Sequence, residues 1–518
     1  MAALLALAGC GYKSNSAAAG ASGSAAGGGD PVAGSVSVGG NPAGTGAMSG
    51  TSAGVAGTPG GGGMGGTGMA SGPWSKRFGG PGPDANNDLA VDAAGNVVLT
   101  GSFEGTVDFG GGILSSEGTR DIFVAKYDPA GNHLWSKRFG GSGGSASGVA
   151  IAADLTGNIL LTGKFEKSVN FGGGRLLSGG GGDVFVAKLS AGGNHLWSKA
   201  FVSARASGWG IAADSVGNVL ASGFFFGTLD LGGGRLTAAG FGQDVFVAKF
   251  GPDGTHLWSK RFGGTGNDGI RRLAIDLADN ILLTGLFHHS IDFGGGYLAS
   301  AGKNDIFVVK LDPGGAHLWS RRFGSALGDG GWGIAADSAG RVVLSGYFRG
   351  AVDFGGGALK SAGDADAFVA QFALDGTHLW SQRFGAAGAD NAASIAVDGM
   401  GNILLTGYFN GVVALGGTTL ASADDHDGFV AKFALDGTHL WSRRFGGVGI
   451  DQGTGIAADA AGDILLGGSY NSTMDIGTGV LTSAGDYDIF LAKLPPRTRS
   501  ARIHNAPVNR HPNPPARR

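Results

Sequence analysis

Tryptophan recurs along this chain at a nearly constant interval: Trp74, Trp135, Trp197, Trp258, Trp319, Trp380 and Trp441 stand 61, 62, 61, 61, 61 and 61 residues apart. A fixed period of this length means one repeated unit that cannot bury its apolar face alone and must stack on its neighbours. A second ladder, Phe123, Phe185, Phe246, Phe307, Phe368, Phe429 and Phe490, keeps the same period, so there are seven copies. The fourth reads WSKRFGGTGNDGIRRLAIDLADNILLTGLFHHSIDFGGGYLASAGKNDIFVVKLDPGGAH. In it LAID, NILLTGLF, DIFVVKLD and HLWSRRF, the last reaching into the next copy, are apolar runs of strand length bounded by Gly, Asp, Asn and Pro. Helical periodicity is absent.

The turns explain themselves. In Asp312-Pro313-Gly314-Gly315 proline sets φ and glycine supplies a positive φ, and Asp154 to Asn158 forms a similar Asp-x-x-Gly-Asn turn, so adjacent strands are antiparallel hairpins. Runs such as ILLTG and FVAKL are apolar on successive residues, as when small sheets are covered on both faces. The ends are complementary: the first unit begins with WSKRF and lacks a preceding FVAK strand, and the last stops at FLAKL without a following HLWS strand. The expected fold is therefore all-β, a seven-bladed β-propeller of four-stranded antiparallel blades, closed by the N-terminal strand pairing into the last blade. The charged SKRF and SRRF runs suit an outer edge, where Lys and Arg discourage pairing with another molecule.

Composition divides the 518 residues. Residues 11–72 are mostly Gly, Ala, Ser and Thr with Lys13 and Asp30 as the only charges, which predicts a disordered tether. Its random-coil reach is roughly 45 Å. Residues 73–494 hold the repeats, with 30 Lys and Arg against 39 Asp and Glu, a net of −9 that argues against a nucleic-acid partner. Residues 495–518 are Pro- and Arg-rich without acids and predict a disordered basic tail. The single cysteine, Cys10, excludes an intrachain disulfide and ends the run Leu7-Ala8-Gly9-Cys10 behind MAALLALAG. That run, residues 1–10, resembles a lipoprotein signal segment and lipobox. The resemblance implies cleavage, lipidation of Cys10, export, and a membrane anchor at the cell envelope, with the outer membrane or cell surface favoured because Gly11 follows the cysteine.

The strings GGTGNDGIRRLAIDLADNILLTG and DIFVVKLDPGGAHLWS resemble the bacterial seven-bladed β-propeller (SBBP) repeat family, over residues 73–494. The third copy departs from the pattern with VSARASGWG, and the sixth with ALGG in place of VDFGGG. The resemblance implies the propeller fold and an exported location, and carries no general activity.

Repeated polar residues have structural explanations. The ladder Asp92, Asp154, Asp214, Asp276, Asp337, Asp398 and Asp459 fits Asx turns, since one carboxylate per blade cannot supply calcium's six or more oxygens. Asp84, Asp268, Asp329, Asp390 and Asp451 form a second ladder, and a third runs from Asp121 to Asp488 before each FVAK-type strand. His133, His195, His256, His317, His378 and His439 are spread around the ring, which predicts packing beside Trp and not a zinc site. The Trp ladder resembles the inter-blade docking pattern of quinoprotein propellers, a packing likeness that implies no cofactor. No nucleophile elbow is present, so no catalytic residue, metal or cofactor is expected.

Two positions vary among otherwise matching units. Five residues before the turn Asp stand Asn87, Val149, Trp209, Arg271, Trp332, Ala393 and Thr454; after the ILLTGxF strand stand Glu104, Glu166, Phe226, His288, Arg349, Asn410 and Asn471. Trp209, Arg271 and Trp332, with Phe226, His288 and Arg349, are therefore expected to form a ligand surface at the entrance to the ring. The function expected is a non-enzymatic lipoprotein presenting a propeller for binding or adhesion to a glycan or protein. The alternatives are a polysaccharide hydrolase or lyase using Glu104 and Glu166, and a structural envelope component.

Overall fold

The computed structural model describes residues 72–417 and 419–496. Cys10, the stretch expected to be a tether and the tail after residue 496 lie outside the described residues.

Seven four-stranded antiparallel sheets make up the ring. From the axis outward, the first blade runs Ala85–Val91, Val97–Phe103, Asp121–Tyr127 and His133–Phe139. The second strand is buried along its whole length, because sheets cover it on both sides. The seventh blade is completed from the other end of the chain: Trp74–Phe78 pairs antiparallel with Asp488–Leu494, placing Trp74 opposite Lys493 and Arg77 opposite Phe490. Inner strands touch in sequence around the ring, and Asp451–Ala458 returns to Ala85–Val91. The circle is closed, as the complementary ends predict.

Each unit also holds more than the four strands legible in its sequence. Between the second and third strands lies a short ribbon, such as Thr106–Asp108 with Ile113–Ser115; in the sixth blade it merges into the long strands Ile403–Ala414 and Thr419–Phe433. Its turn is set by Asp108, whose Oδ1 accepts the N–H groups of Gly110 and Gly112 at 2.7 and 3.1 Å. Gly111 is required by close approach: a Cβ there would stand 2.3 Å from the His133 ring. That ring also bonds Ser136 Oγ at 3.0 Å, so the His ladder packs beneath the ribbon.

Blades dock through the Trp ladder. Trp135 Nε1 donates to Ala191 O at 3.0 Å, and Trp197 Nε1 to Pro252 O at 2.9 Å, each reaching the outer turn of the next blade. The ring lies against that turn's glycine; a Cβ on Gly193 would be 3.1 Å from Trp135.

The first Asp ladder forms Asx turns and has a further partner that the sequence reading missed. Asp92 Oδ1 accepts the N–H groups of Ala94 and Asn96, while Oδ2 meets Lys126 Nζ at 2.8 Å. Burial alone would raise this carboxyl, but the Lys126 and Asn96 bonds outweigh it and hold it below its ordinary value. The buried lysine of each FVAK strand repeats the contact in five other blades, at Asp154, Asp214, Asp276, Asp398 and Asp459. In the fifth blade the lysine is Gln371 and the turn asparagine is Arg341, which meets Asp337 at 2.6 Å. The two exchanges compensate, since a buried carboxylate keeps one cation. Lys310→Met is therefore expected to lower stability by about 3–5 kcal/mol by stranding Asp276. Lys310→Gln with Asn280→Arg, copying the fifth blade, should recover most of that loss in a denaturant melt.

Candidate functional site at the channel mouth

The first variable ladder has a structural cause. In six inner strands the pairing skips one residue, and the skipped residues are Asn87, Val149, Trp209, Arg271, Trp332 and Thr454; in the sixth blade the irregularity takes in Ala392 and Ala393. These are β-bulges, which re-aim a side chain out of the ladder. They are packed strand positions. Trp209 is only 4% exposed, and Arg271 and Trp332 are partly buried.

Three of the bulge residues, on consecutive blades, converge. The Arg271 guanidinium lies 4.5 Å from the Trp209 ring centroid and 4.8 Å from that of Trp332. Burial lowers its pKa. The next residue, Arg272, is 1% exposed and extends from the fourth blade to Asp88 of the first, Nη1 to Oδ1 3.9 Å. Desolvation pushes its pKa down to about 10, against the opposing pull of Asp88. The Asp88 oxygens also accept Leu89 N–H at 2.9 Å and Ile151 N–H at 2.8 Å. Arg272 thus spans the axis in a water-poor setting.

The second variable ladder lies on the same face, because its backbone is tied to the loops entering the inner strands. Glu104 N–H reaches Asp84 Oδ1 at 3.3 Å, and Arg349 N–H reaches Asp329 Oδ1 at 2.7 Å. Phe226 packs edge-on to Phe224, itself 6.3 Å from Trp209, and carries Arg205 at 5.7 Å. Arg349 lies 5.7 Å from the Tyr347 ring and pairs with Asp364 at 3.2 Å. His288 instead stacks on His289 at 3.9 Å.

Phe224 and Tyr347 belong to a third ladder that sequence reasoning passed over: Ser102, Lys164, Phe224, Leu286, Tyr347, Tyr408 and Ser469, the x of ILLTGxF. Its variability was visible in the repeats. Aromatic members fall on blades three, five and six, beside the bulge tryptophans of blades three and five, while blades one and seven contribute serine. The mouth is therefore lopsided.

A cavity of about 350 Å³ opens there, lined by Lys164, Glu166, Arg205, Trp209 and Phe224 among others. It lies where the third copy departs from the repeat: Ala206 replaces the Asp of the second ladder, and Ala200 the Arg of SKRF. Without that arginine, Asp183 is held by Gly179 and Ser203 N–H groups at 2.7 and 2.8 Å. Among the described residues, no three His, Cys, Asp or Glu side chains gather as a metal site.

Elsewhere the second and third Asp ladders meet at blade junctions. Arg322 pairs with Asp305 at 2.6 Å; burial raises the pKa of Asp329, and the nearby Asp305 adds to that rise. The same group recurs as Arg77, Asp488 and Asp84, as Arg261, Asp244 and Asp268, as Arg383, Asp366 and Asp390, and as Arg444, Asp427 and Asp451.

Ring, repeats and bulged inner strands define a β-propeller repeat protein. A family model described as a beta-propeller repeat, SBBP, matches residues 134–164 and 379–411. The uncharacterized WD repeat-containing protein L264 of Acanthamoeba polyphaga mimivirus is 24% identical over 452 residues, covering 68% of this chain and 32% of that protein. The chain thus spans about a third of that relative's length. Similar solved structures include a protein of unknown function from Bacteroides caccae, at 12% identity, covering 62% of this chain and 89% of that one, with a TM-score of 0.33. Sqt1 from Chaetomium thermophilum is 10% identical, with 80% and 98% covered and a TM-score of 0.35.

Proposed function

We propose that this chain is a binding propeller that takes up a glycan at its channel mouth and is held at the cell envelope through lipid on Cys10. The observation that carries the reading is the convergence of Trp209, Arg271 and Trp332 beside a cavity of about 350 Å³. Aromatic faces suit the apolar faces of sugar rings, and Lys164, Glu166 and Arg205 offer hydrogen bonds to hydroxyl groups. Catalysis on a polysaccharide needs two carboxylates flanking the scissile bond. Of Glu104 and Glu166 only Glu166 lines the cavity, which favours binding over hydrolysis. The placement of Cys10 behind MAALLALAG and ahead of a Gly/Ala/Ser-rich stretch supports the envelope location.

Probing a glycan and peptide array with the full chain tests the reading. A discrete set of glycans should bind, at least ~10-fold more weakly after joint replacement of Trp209, Arg271 and Trp332 by Ala. Arg205→Ala, an exposed change, should weaken the same glycans without altering the melt. Unchanged binding in both variants would remove this site from consideration, and capture of peptides alone would reverse the ligand class.

A further inference from the structure

The channel mouth contains N–H donors with nothing to donate to. Trp209 Nε1, Arg271 Nε, Trp332 Nε1 and both Arg272 Nη atoms are buried and have no hydrogen-bond acceptor. Buried donors are normally satisfied, and leaving one unmet costs about 1–3 kcal/mol, more when it is charged. Five such atoms on three consecutive inner strands make a local concentration of unmet donors.

The charges agree. At the bulge and the residue after it, the seven blades supply Arg271, Arg272 and Asp88, two cations against one anion. Asp88 already accepts two backbone N–H groups and stands 3.9 Å from Arg272, too far for a hydrogen bond. A cation in a water-poor setting with an incomplete partner is costly, and a bound anion removes that cost. Arg271 is also held in place: its planar group is sandwiched by two rings, so little freedom is lost when its edge engages a ligand. Gly330 leaves room for this arrangement, since a Cβ there would lie 2.9 Å from the Tyr347 ring and 3.4 Å from Trp332 Nε1.

We infer that the bulge residues Trp209, Arg271 and Trp332, with Arg272 behind them, form an axial oxyanion site whose ligand is a carboxylate or phosphate group. The inference rests on the proposed use of this mouth for binding, and it narrows the ligand to one bearing an anionic oxygen group. A uronic acid carboxylate and free inorganic phosphate share the required chemistry, an anionic group whose several oxygens accept charge-assisted hydrogen bonds.

Calorimetric titration of the full chain at constant ionic strength, with sodium phosphate, glucuronate and neutral glucose, tests it. Phosphate or glucuronate should bind saturably and glucose should not. Tighter binding of glucuronate assigns the site to an acidic sugar, and tighter binding of phosphate to the free ion. Trp209→Phe and Trp332→Phe keep an aromatic ring beside Arg271 but remove the indole N–H together with part of the ring face, and each should weaken the oxyanion about 5- to 10-fold. Arg271→Gln should weaken it more. Thermal melts of each variant identify any that fail to fold, and Trp332→Phe, at the less buried position, provides the reading if Trp209→Phe does so. Absence of saturable oxyanion binding, or binding indifferent to all three substitutions, overturns the inference. If neutral glycans from the array still bind in that case, the glycan reading survives without it; if nothing binds at the mouth, both fall.

Discussion

Deleting residues 72–79 is expected to abolish cooperative folding of the propeller. The strand Trp74–Phe78 supplies the whole outer edge of the seventh blade, and its partner Asp488–Leu494 is buried along its length. Phe78 adds packing across the seam between the chain ends, with ring centroids 5.3 Å from both Phe109 and Tyr127 of the first blade. Thr478 Oγ1 bonds Ser75 Oγ at 2.6 Å, and Asp84 N–H bonds Tyr487 O at 2.9 Å, tying the same junction. Phe78→Ala alone should cost about 3–5 kcal/mol, the usual loss for a buried phenylalanine. Full deletion should cost more and expose the apolar edge DIFLAKL, giving aggregates on size exclusion. Conversely, cysteines at the paired positions Ser75 and Ala492, with Cys10→Ser, should raise the melting temperature when oxidised, by a closure effect of roughly 4 kcal/mol or more. A deletion that melted within a degree of the parent would show that the seam holds nothing together.

Stability should also peak in mildly acidic solution and decline toward pH 8. Burial pushes Asp84, Asp268 and Asp390 up to about 7, Asp329 to about 6 and Asp451 to about 8, from an ordinary 3.8. Backbone N–H groups, such as those of Gly80 and Glu104 at Asp84, oppose the shift, and the second carboxylate at each junction adds to it. Between pH 3.8 and these raised values the folded state holds protons that the unfolded chain has released, so stability falls as pH rises. The slope is at most about 1.4 kcal/mol per pH unit for each carboxyl. Above the raised values the loss is complete and the curve flattens. On the acid side, Asp92, Asp154, Asp214, Asp276 and Asp398 are held below their ordinary value, so their contribution disappears as pH falls through that lower range. Thermal melts should therefore show a maximum near pH 4, close to the ordinary carboxyl value, and a decline of several degrees by pH 8. Asp→Asn at all five junction sites should flatten the decline and stabilise the ring at pH 8. Ala146 and Ala206, at the same position in blades two and three, show that the scaffold folds there without the carboxyl. A melting temperature that climbs from pH 5 to pH 8 would contradict the assignment.

What could be foreseen from the residues, and what could not, follows from how each feature is encoded. Period, strand order and closure lie in long apolar runs and in the mismatched ends, so the residues alone put Trp74 beside the last FLAKL strand. The three-residue ribbons were missed because so short a strand leaves no alternation to detect. Lys126 and its equivalents look like surface charges in FVAK, yet they are buried, because their partner Asp lies about 34 residues earlier on the neighbouring hairpin. The bulge is invisible for another reason: it inserts its extra residue at the same place in nearly every copy, so the period never slips. Variation at Trp209, Arg271 and Trp332 marked the positions, but nothing in the residues shows that they stand on bulges of the inner strands. Tyr347 and Phe224 escaped because they sit inside a strand already explained as core.

The reach of Arg272 to Asp88 has one more consequence. With a nearly waterless side chain laid across its middle, the propeller is a stoppered cup and not a pipe. Whatever settles on the rim with the bulges cannot thread through and must leave by the way it came. The opposite side, where the Asx turns lie, can therefore change its residues without altering what the cup receives.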